Sequence, residues 1–192
     1  MTRIVVGFAG PIGSGKDTMA KAMAEAFNGT VLKFAHPLYA MAAHIDPSIH
    51  PDMSHREKEE YLLGQEHLGT RRNFLQKLGT EFGRIIIHEK LWVDLQRHKV
   101  ESTGGAVFYS DVRFNDEAQL IRDLGGHIIH IRCNWIPPTS QQALSHPSEK
   151  AVTFVSGDTI LGLSEGKIAK GAREVAAVIK EVFHLPTVRA LG

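Results

Sequence analysis

IVVGFAGPIGSGKDT, residues 4–18, starts as an unbroken apolar run and ends as a glycine-rich turn that leads into Lys16. A continuous run such as 4–8, rich in β-branched residues, is typical of a strand buried on both faces. The turn after it has the G-x-x-x-x-G-K spacing of a phosphate-binding loop, in which glycines let successive backbone N–H groups point at an anion. A turn that merely starts a helix is the alternative interpretation. The order strand, loop, lysine and helix favours a phosphate site.

Each polar position of this loop has an expected task. Lys16 is predicted to reach the β- and γ-phosphates of a nucleotide, and Thr18 to donate its hydroxyl to the α-phosphate. Asp17 stands where Ser or Thr usually holds Mg²⁺, and a carboxylate also suits an ion that prefers oxygen ligands and keeps several waters. The predicted nucleotide-binding residues are Gly10, Ile12, Gly13, Ser14, Gly15, Lys16, Asp17 and Thr18.

The rest of the chain alternates strand-like and helix-like segments. Further strands are predicted at 30–34, 106–110, 127–132 and 152–155, and helices at 17–27, 54–63, 70–88, 115–124 and 167–183. Because hairpin signals are missing, this alternation predicts a mostly parallel five-stranded sheet with helices on both faces, an α/β fold in three layers. Ligands of such folds bind at the carboxyl ends of the strands.

Length and composition narrow the class of protein. The 192 residues suit one domain, 1–192, and 22 basic against 21 acidic residues argue against nucleic acid or an anionic membrane as the main partner. No apolar run reaches the ~18 residues that span a bilayer. Cys133 is the only cysteine, so no intrachain disulfide forms and a cytoplasmic location is expected.

The helix predicted to begin at Thr70 carries two stripes. The first is apolar and is expected to face the core; it consists of Phe74, Leu75, Leu78, Phe82 and Ile85. The second is polar and small; it consists of Arg72, Gln76, Gly79 and Gly83. We interpret the second stripe as a shelf for a sugar and base, with Arg72 gripping a phosphate. The alternative is that the two glycines only permit tight packing. Arg71 points elsewhere and is expected to tolerate alanine.

Charged residues also follow two later strands. Asp111 lies at the end of the strand predicted at 106–110, where an acid can hold Mg²⁺ or its waters, and Arg113 comes just after it. An N-cap or a loop salt bridge is the alternative role for this acid. Arg132 leads into a Pro-, Ser- and Gln-containing segment at about 133–150, which is typical of a lid that excludes water. An ordinary surface loop is the alternative there.

Together these blocks resemble the phage-type deoxynucleoside monophosphate kinases, a family of P-loop kinases. The resemblance covers most of the chain through GSGKDT at 13–18, FAHPL at 34–38, RNFLQ at 72–76 with LGTE at 78–81, and DVRF at 111–114. A weaker block is HPSE at 146–149. The Lys-Asp-Thr ending is similar to the family's own version of the loop, which accounts for Asp17. Residues 115–117 and 156–158 depart from the family pattern, away from the phosphate chemistry.

The resemblance implies transfer of the γ-phosphoryl group of ATP, with Mg²⁺, to a deoxynucleoside 5′-monophosphate. It also implies a helical acceptor-binding region at about 36–101 and a lid at about 133–150. The expected catalytic residues, which would neutralise charge on the moving group, are Lys16, Arg84, Arg113 and Arg132. The expected acceptor-binding residues are Phe34, Arg72, Gln76, Gly79, Thr80, Arg84 and Arg113, and the expected Mg²⁺ ligands are Asp17 and Asp111.

Two alternatives stay open. One is a kinase of another small phosphorylated acceptor, phosphomevalonate or dephospho-coenzyme A, and the other is a module that binds ATP without a second substrate. The expected partners are ATP and deoxynucleoside monophosphates, with no nucleic acid and no membrane. The sequence leaves open the choice of deoxynucleotide and whether the chain forms a homodimer. If the protein is phage-encoded, the expected compartment is the host cytoplasm.

Overall fold

The structure, a computed structural model, describes residues 3–134, 152–165 and 167–185. Its strands are β1 (Val5–Ala9), β2 (Thr30–Leu32), β3 (Val107–Val112), β4 (His127–Cys133) and β5 (Thr159–Leu163). Its helices are α1 (Lys16–Ala26), α2 (His36–Ala43), α3 (His55–Glu59), α4 (Arg71–Gln76), α5 (Leu91–Ser102), α6 (Asn115–Asp123) and α7 (Ile168–Val182). Helix α4 continues as a π-helix over Lys77–Ile87, and two 3₁₀ turns lie at Leu62–Gly64 and Glu66–Leu68.

The five strands form one sheet in the order β2-β3-β1-β4-β5. Every neighbouring pair is parallel, which confirms the prediction from the alternation of strands and helices. Strand β1 lies in the middle, with Val6 opposite Phe108 on one side and His127 on the other. The loop after β1 therefore leaves the sheet at its centre, where a ligand can be approached from both neighbouring strands.

Helices cover the two faces of this sheet. Phe8 and its neighbours pack with Met19 of α1 and Ile179 of α7 in one buried cluster. Gly7 points to the opposite face, where an added Cβ would lie 2.5 Å from Cδ1 of Ile121 on α6. Because successive strand residues alternate in direction, α1 and α7 form one layer and α6 the other.

The chain divides into two compact units. The first comprises residues 1–32 and 102–192 and contains the sheet, and the second comprises residues 33–101. The second unit has its own apolar cluster, formed by Ala42, Ile49, Met53, Leu62 and Leu75. Its bounds lie close to the helical region predicted at about 36–101. The acceptor-binding role of that region stays a prediction.

Two caps in the second unit agree with the sequence. Ser54 and Glu57 form the predicted capping box of α3, since Glu57 N–H donates to Ser54 Oγ at 3.2 Å and Ser54 N–H to Glu57 Oε2 at 2.6 Å. Thr70 caps α4 by accepting from Asn73 N–H at 3.2 Å. Helices α2 and α5 have no counterpart among the predicted elements. No helix of the described residues is long and apolar enough to cross a bilayer.

The strand predicted at 152–155 is wrong, because the fifth strand is Thr159–Leu163. Asp158 holds the preceding segment in a turn: its N–H donates to Val155 O at 3.1 Å and its Oδ2 accepts from Val155 N–H at 3.1 Å. Thr153 is bound to the Asn115 side chain through its N–H and its hydroxyl. The backbone of 152–158 is therefore fixed by side chains rather than by a strand partner.

The apolar stripe predicted on the helix after Thr70 is correct only in its first half. Leu75 is buried and Phe74 and Leu78 pack against it, whereas Phe82 and Ile85 are 40% and 73% exposed. The π-helix explains the difference, since i→i+5 bonds such as His88 N–H to Gly83 O widen each turn. Residues three or four positions apart, which share one face of an α-helix, then no longer share a face.

Candidate functional site

The glycine loop connects β1 directly to α1. Gly15 precedes the helix at φ 90°, in the left-handed region that favours glycine. A Cβ at Gly10 would lie 2.6 Å from the carbonyl oxygen of Ile131 on β4, so the loop and the end of β4 are in close contact. The glycines that define the motif are thus required by the backbone here, and the loop begins α1 as predicted.

Lys16 lies inside this loop. The residue is 8% exposed, and its Nζ donates to Gly10 O at 2.7 Å and to Pro11 O at 2.6 Å. The ammonium charge is therefore held against the backbone at the start of the loop that is expected to bind phosphate.

Ser14 supplies an unsatisfied polar atom in the same loop. Its Oγ is buried and has no hydrogen-bond partner among the described residues. Buried hydroxyls nearly always have a partner, because an unsatisfied one costs roughly 1–3 kcal/mol. A phosphate oxygen in the loop would provide that partner, so the loop fits the anion that its sequence predicts.

Asp17 contacts the end of β3 through Ser110. The fully buried Ser110 donates its hydroxyl to Asp17 Oδ1 at 2.8 Å. The pairing of β1 with β3 shifts here, from Gly7 opposite Tyr109 to Ala9 opposite Val112. Such a bulge re-aims side chains and is common beside active sites. Ser110 was not among the residues predicted for the site, although its position next to Asp111 could have pointed to it.

Asp111 lies half-buried on the same bulged stretch. Burial raises the pKa of Tyr109, and the negative charge of Asp111 raises it further. Asp17 and Asp111 supply the carboxylate oxygens that suit Mg²⁺, which takes one or two carboxylates together with waters and substrate phosphates. Within the described ranges, no group of three or more His, Cys, Asp or Glu side chains is placed to hold a metal by itself.

Two arginines of the first unit, Arg113 and Arg132, lie at the ends of β3 and β4. The backbone N–H groups of Arg113 and Phe114 donate to Glu117 Oε2 at 2.8 and 3.1 Å, which fixes the turn after β3. Arg132 is exposed and follows Ile131, the residue whose carbonyl meets Gly10. Both arginines thus leave the sheet at its carboxyl edge, as predicted. Of the lid predicted at 133–150, all but Cys133 and Asn134 lies outside the described residues.

In the second unit, Arg72 projects from the first turn of α4. Its Nε donates to Glu59 Oε1, and its side chain is 21% exposed. Gln76 and Thr80 are half-buried farther along the helix, and Arg84 Nη1 donates to Glu89 O at 3.0 Å. These four side chains are accessible to a ligand of this unit.

The predicted shelf at Gly79 and Gly83 is filled by protein. A Cβ at Gly83 would lie 2.4 Å from Trp92 Cζ2, and one at Gly79 would lie 3.0 Å from Leu38 Cδ2. Trp92 Nε1 also donates to Gly79 O at 2.7 Å. Tight packing, the alternative interpretation, accounts for Gly83, and the backbone and Cα of Gly79 are covered by Trp92 and Leu38. Phe34 is likewise buried rather than presented to a ligand.

The expectation that Arg71 tolerates alanine is wrong. Its Nε donates to Asp46 Oδ2 at 3.2 Å and its Nη1 to Glu60 Oε2 at 2.6 Å, and its side chain is 12% exposed. Asp46 also accepts from Leu63 N–H at 2.9 Å. Burial alone would raise the pKa of Asp46, but hydrogen bonds from Ser48, Leu63 and Arg71 outweigh it and lower this pKa to about 2.

Comparisons with known proteins concern the family of this chain. A family model described as deoxynucleotide monophosphate kinase matches residues 40–170. The deoxynucleoside-5′-monophosphate kinase of Escherichia phage T5 is 24% identical, over 78% of this chain and 85% of its own. A protein of Acanthamoeba polyphaga mimivirus, named provisionally as a deoxynucleotide monophosphate kinase, is 28% identical over 95% of this chain and 99% of its own.

The likeness to a solved structure concerns the fold and not the function. That structure is of a protein of Chloroflexus aurantiacus described provisionally as a kinase, 11% identical, with a TM-score of 0.53. The match covers 94% of this chain and 97% of that one.

Proposed function

The chain belongs to the deoxynucleotide monophosphate kinase family, and we propose that it transfers the γ-phosphoryl group of ATP to deoxynucleoside 5′-monophosphates. The products would be ADP and a deoxynucleoside diphosphate. The observation that carries this proposal is the loop in which Lys16 is held beside the unpartnered hydroxyl of Ser14. A bound anion would give this hydroxyl a hydrogen-bond partner.

The donor side would act by positioning and by neutralising charge. Phosphoryl transfer asks little covalent chemistry of the protein, so fixed donors around the β- and γ-oxygens supply most of the rate. Lys16 would move from the carbonyls of Gly10 and Pro11 to those oxygens, over a distance that its flexible stem allows. Thr18, exposed on the first turn of α1, would meet the α-phosphate.

Mg²⁺ would be held by Asp17 and Asp111 with their waters. When bound, the ion would neutralise charge that develops on the phosphate oxygens. Ser110 donates its hydroxyl to Oδ1 of Asp17 and so fixes the orientation of this carboxylate. Asp17 therefore has a fixed orientation, which a flexible loop carboxylate would lack.

The acceptor side would be built on Arg72, with Gln76 and Thr80 beside it. Arg84, Arg113 and Arg132 are proposed to neutralise the acceptor phosphate and the group in transfer. We propose no general base, since the acceptor phosphate is already anionic at neutral pH. The cytoplasmic location is expected from the single cysteine.

The test is a coupled ADP-release assay at fixed ATP and Mg²⁺. The acceptors are all common deoxy- and ribonucleoside monophosphates, together with phosphomevalonate and dephospho-coenzyme A. We expect ADP release with deoxynucleoside monophosphates, and no release from Lys16→Met. Release only with phosphomevalonate or dephospho-coenzyme A would identify another acceptor class. Protection by ATP from thermal unfolding with no acceptor-dependent release would identify a binding module.

A further inference from the structure

The guanidinium of Arg72 is held from one side only. Its Nε donates to Glu59, the last residue of α3, and it makes no other hydrogen bond or ion pair within the described residues. A guanidinium carries five N–H donors in one plane. The four donors on Nη1 and Nη2 are therefore open to a ligand, and two of them in parallel match two oxygens of a phosphate.

The neighbouring arginine is used differently. Arg71 is bound to Asp46 and Glu60 through Nε and Nη1, and its Nη1 also donates to the Glu57 carbonyl at 3.3 Å. Its backbone N–H donates to Glu60 O at 3.0 Å. These contacts fasten the end of α3 to the start of α4, and so they fix Glu59 beside Arg72.

We propose that Glu59 is a positioning residue for the acceptor phosphate. By binding Nε, it holds the Arg72 guanidinium in one orientation with the Nη1–Nη2 edge free. A long side chain that is already ordered loses less conformational entropy when the phosphate binds. The inference rests on the proposed function, in which Arg72 binds the monophosphate.

If Glu59 competed with the phosphate for Arg72, its removal would change acceptor binding in the opposite direction. A carboxylate that merely occupies the arginine in the absence of substrate competes with phosphate, so its removal would tighten acceptor binding. A positioning carboxylate leaves the phosphate edge free, so its removal weakens acceptor binding. The Michaelis constant for the acceptor therefore distinguishes the two roles.

The experiment measures ADP release by Glu59→Ala and Glu59→Gln against the acceptor that the wild-type enzyme uses. We expect Glu59→Ala to raise the acceptor KM about 3- to 10-fold, with kcat, the KM for ATP and the unfolding temperature nearly unchanged. Glu59→Gln keeps an oxygen that accepts from Nε and should recover most of the loss. Glu66→Ala is the matched control, because Glu66 is an exposed glutamate of the same unit that contacts neither Arg71 nor Arg72, and it should leave the acceptor KM unchanged.

A double variant tests whether Glu59 acts through Arg72. Arg72→Ala should raise the acceptor KM strongly, and adding Glu59→Ala to it should change nothing further. A fall in KM in Glu59→Ala, or a KM unchanged there while Arg72→Ala raises it, would overturn the positioning role and leave the proposed function standing. A wild-type enzyme with no acceptor-dependent ADP release would overturn the proposed function itself.

Discussion

Asp17 replaces the hydroxyl that usually follows the loop lysine, and its bond to Ser110 explains how a carboxylate is accommodated there. The hydroxyl of Ser110 donates to Oδ1 from the bulged end of β3 and so orients the carboxylate. Ser110 has no exposed surface, so its hydroxyl is directed at Asp17 rather than at water. The loop thereby carries an oriented negative charge beside the residues that we propose to bind phosphate.

This arrangement predicts a graded effect on Mg²⁺. Asp17→Asn removes the charge and should raise the Mg²⁺ concentration for half-maximal rate strongly. Ser110→Ala removes only the orientation of the carboxylate, so its effect should be smaller and in the same direction. Both are measured as ADP release against Mg²⁺ at fixed ATP. An unchanged Mg²⁺ dependence in Asp17→Asn would assign this residue to the helix dipole, worth only ~0.3–1 kcal/mol.

The contact between Asp46 and Arg71 leads to a second prediction, which concerns the unfolding free energy at acid pH. The pKa of Asp46 lies at about 2, below its ordinary 3.8, so the folded state favours the ionised carboxylate. This group therefore stabilises the fold above about pH 4, and the stabilisation, about 2 kcal/mol, is lost as the pH falls toward 2. Asp46→Asn should be less stable than the wild type at pH 7, and the gap in unfolding free energy should narrow between pH 4 and 2.

Urea unfolding across that pH range measures the effect. Asp52→Asn is the control, because its carboxylate is exposed and lies 3.7 Å from Lys33 without the buried donors of Asp46. If the difference in unfolding free energy between the wild type and Asp46→Asn stayed constant between pH 4 and 2, a role for the Asp46 charge would be contradicted.

At the scale of elements, a substitution of Gly83 distinguishes a packing role of this helix face from a role in nucleotide binding. A Cβ there would meet the Trp92 indole at 2.4 Å, so Gly83→Ala should destabilise the protein by ~1–3 kcal/mol, as overpacking does. For a chain of this size the unfolding temperature falls by about 2–4 °C per kcal/mol.

Gly79→Ala is the matched variant. Its nearest neighbour is the methyl end of Leu38, at 3.0 Å, which can move, so this change should be close to neutral in thermal unfolding. If Gly83→Ala unfolded normally and instead raised the acceptor KM, the shelf first predicted from the sequence would be correct.

The elements that could be predicted are those whose signals are local. The strand, loop and helix of residues 4–27 follow from an apolar run, a glycine spacing and a lysine, and the cap at Thr70 from one hydroxyl. The fifth strand could not be found this way, because Asp158 draws 152–155 into a turn through contacts with Arg122 and His130 on other elements. The π-helix over Lys77–Ile87 likewise has no signal in the spacing of its residues.

The same distinction holds for the site. Lys16 and Asp17 were identifiable because the motif fixes their spacing. Arg71 and Arg72 are adjacent and alike in sequence, yet one is bound to the buried Asp46 and the other has its Nη edge open. The placement of Asp46, 25 residues earlier in the chain, and of Glu60 separates them.

At the scale of the whole molecule, ATP and the acceptor should each stabilise the fold through a different compact unit. The loop with Lys16 belongs to the unit of residues 1–32 and 102–192, whereas Arg72 belongs to that of 33–101. A ligand at 100 times its Kd stabilises the state that binds it by about 2.7 kcal/mol, which is about 5–10 °C in unfolding temperature here. MgATP and a deoxynucleoside monophosphate should therefore each raise the unfolding temperature of the wild type.

The variants should separate the two effects. Lys16→Met should lose most of the rise with MgATP and keep the rise with the monophosphate, because only the donor phosphates contact Lys16. Arg72→Ala should keep the rise with MgATP and lose the rise with the monophosphate, since a charge-assisted bond to phosphate worth roughly 1.5–3 kcal/mol is removed. Arg72→Lys should recover part of it, because a point charge cannot replace a bidentate fork. Loss of both rises in Arg72→Ala would contradict the assignment of donor and acceptor to separate units, because one side chain would then serve both nucleotides.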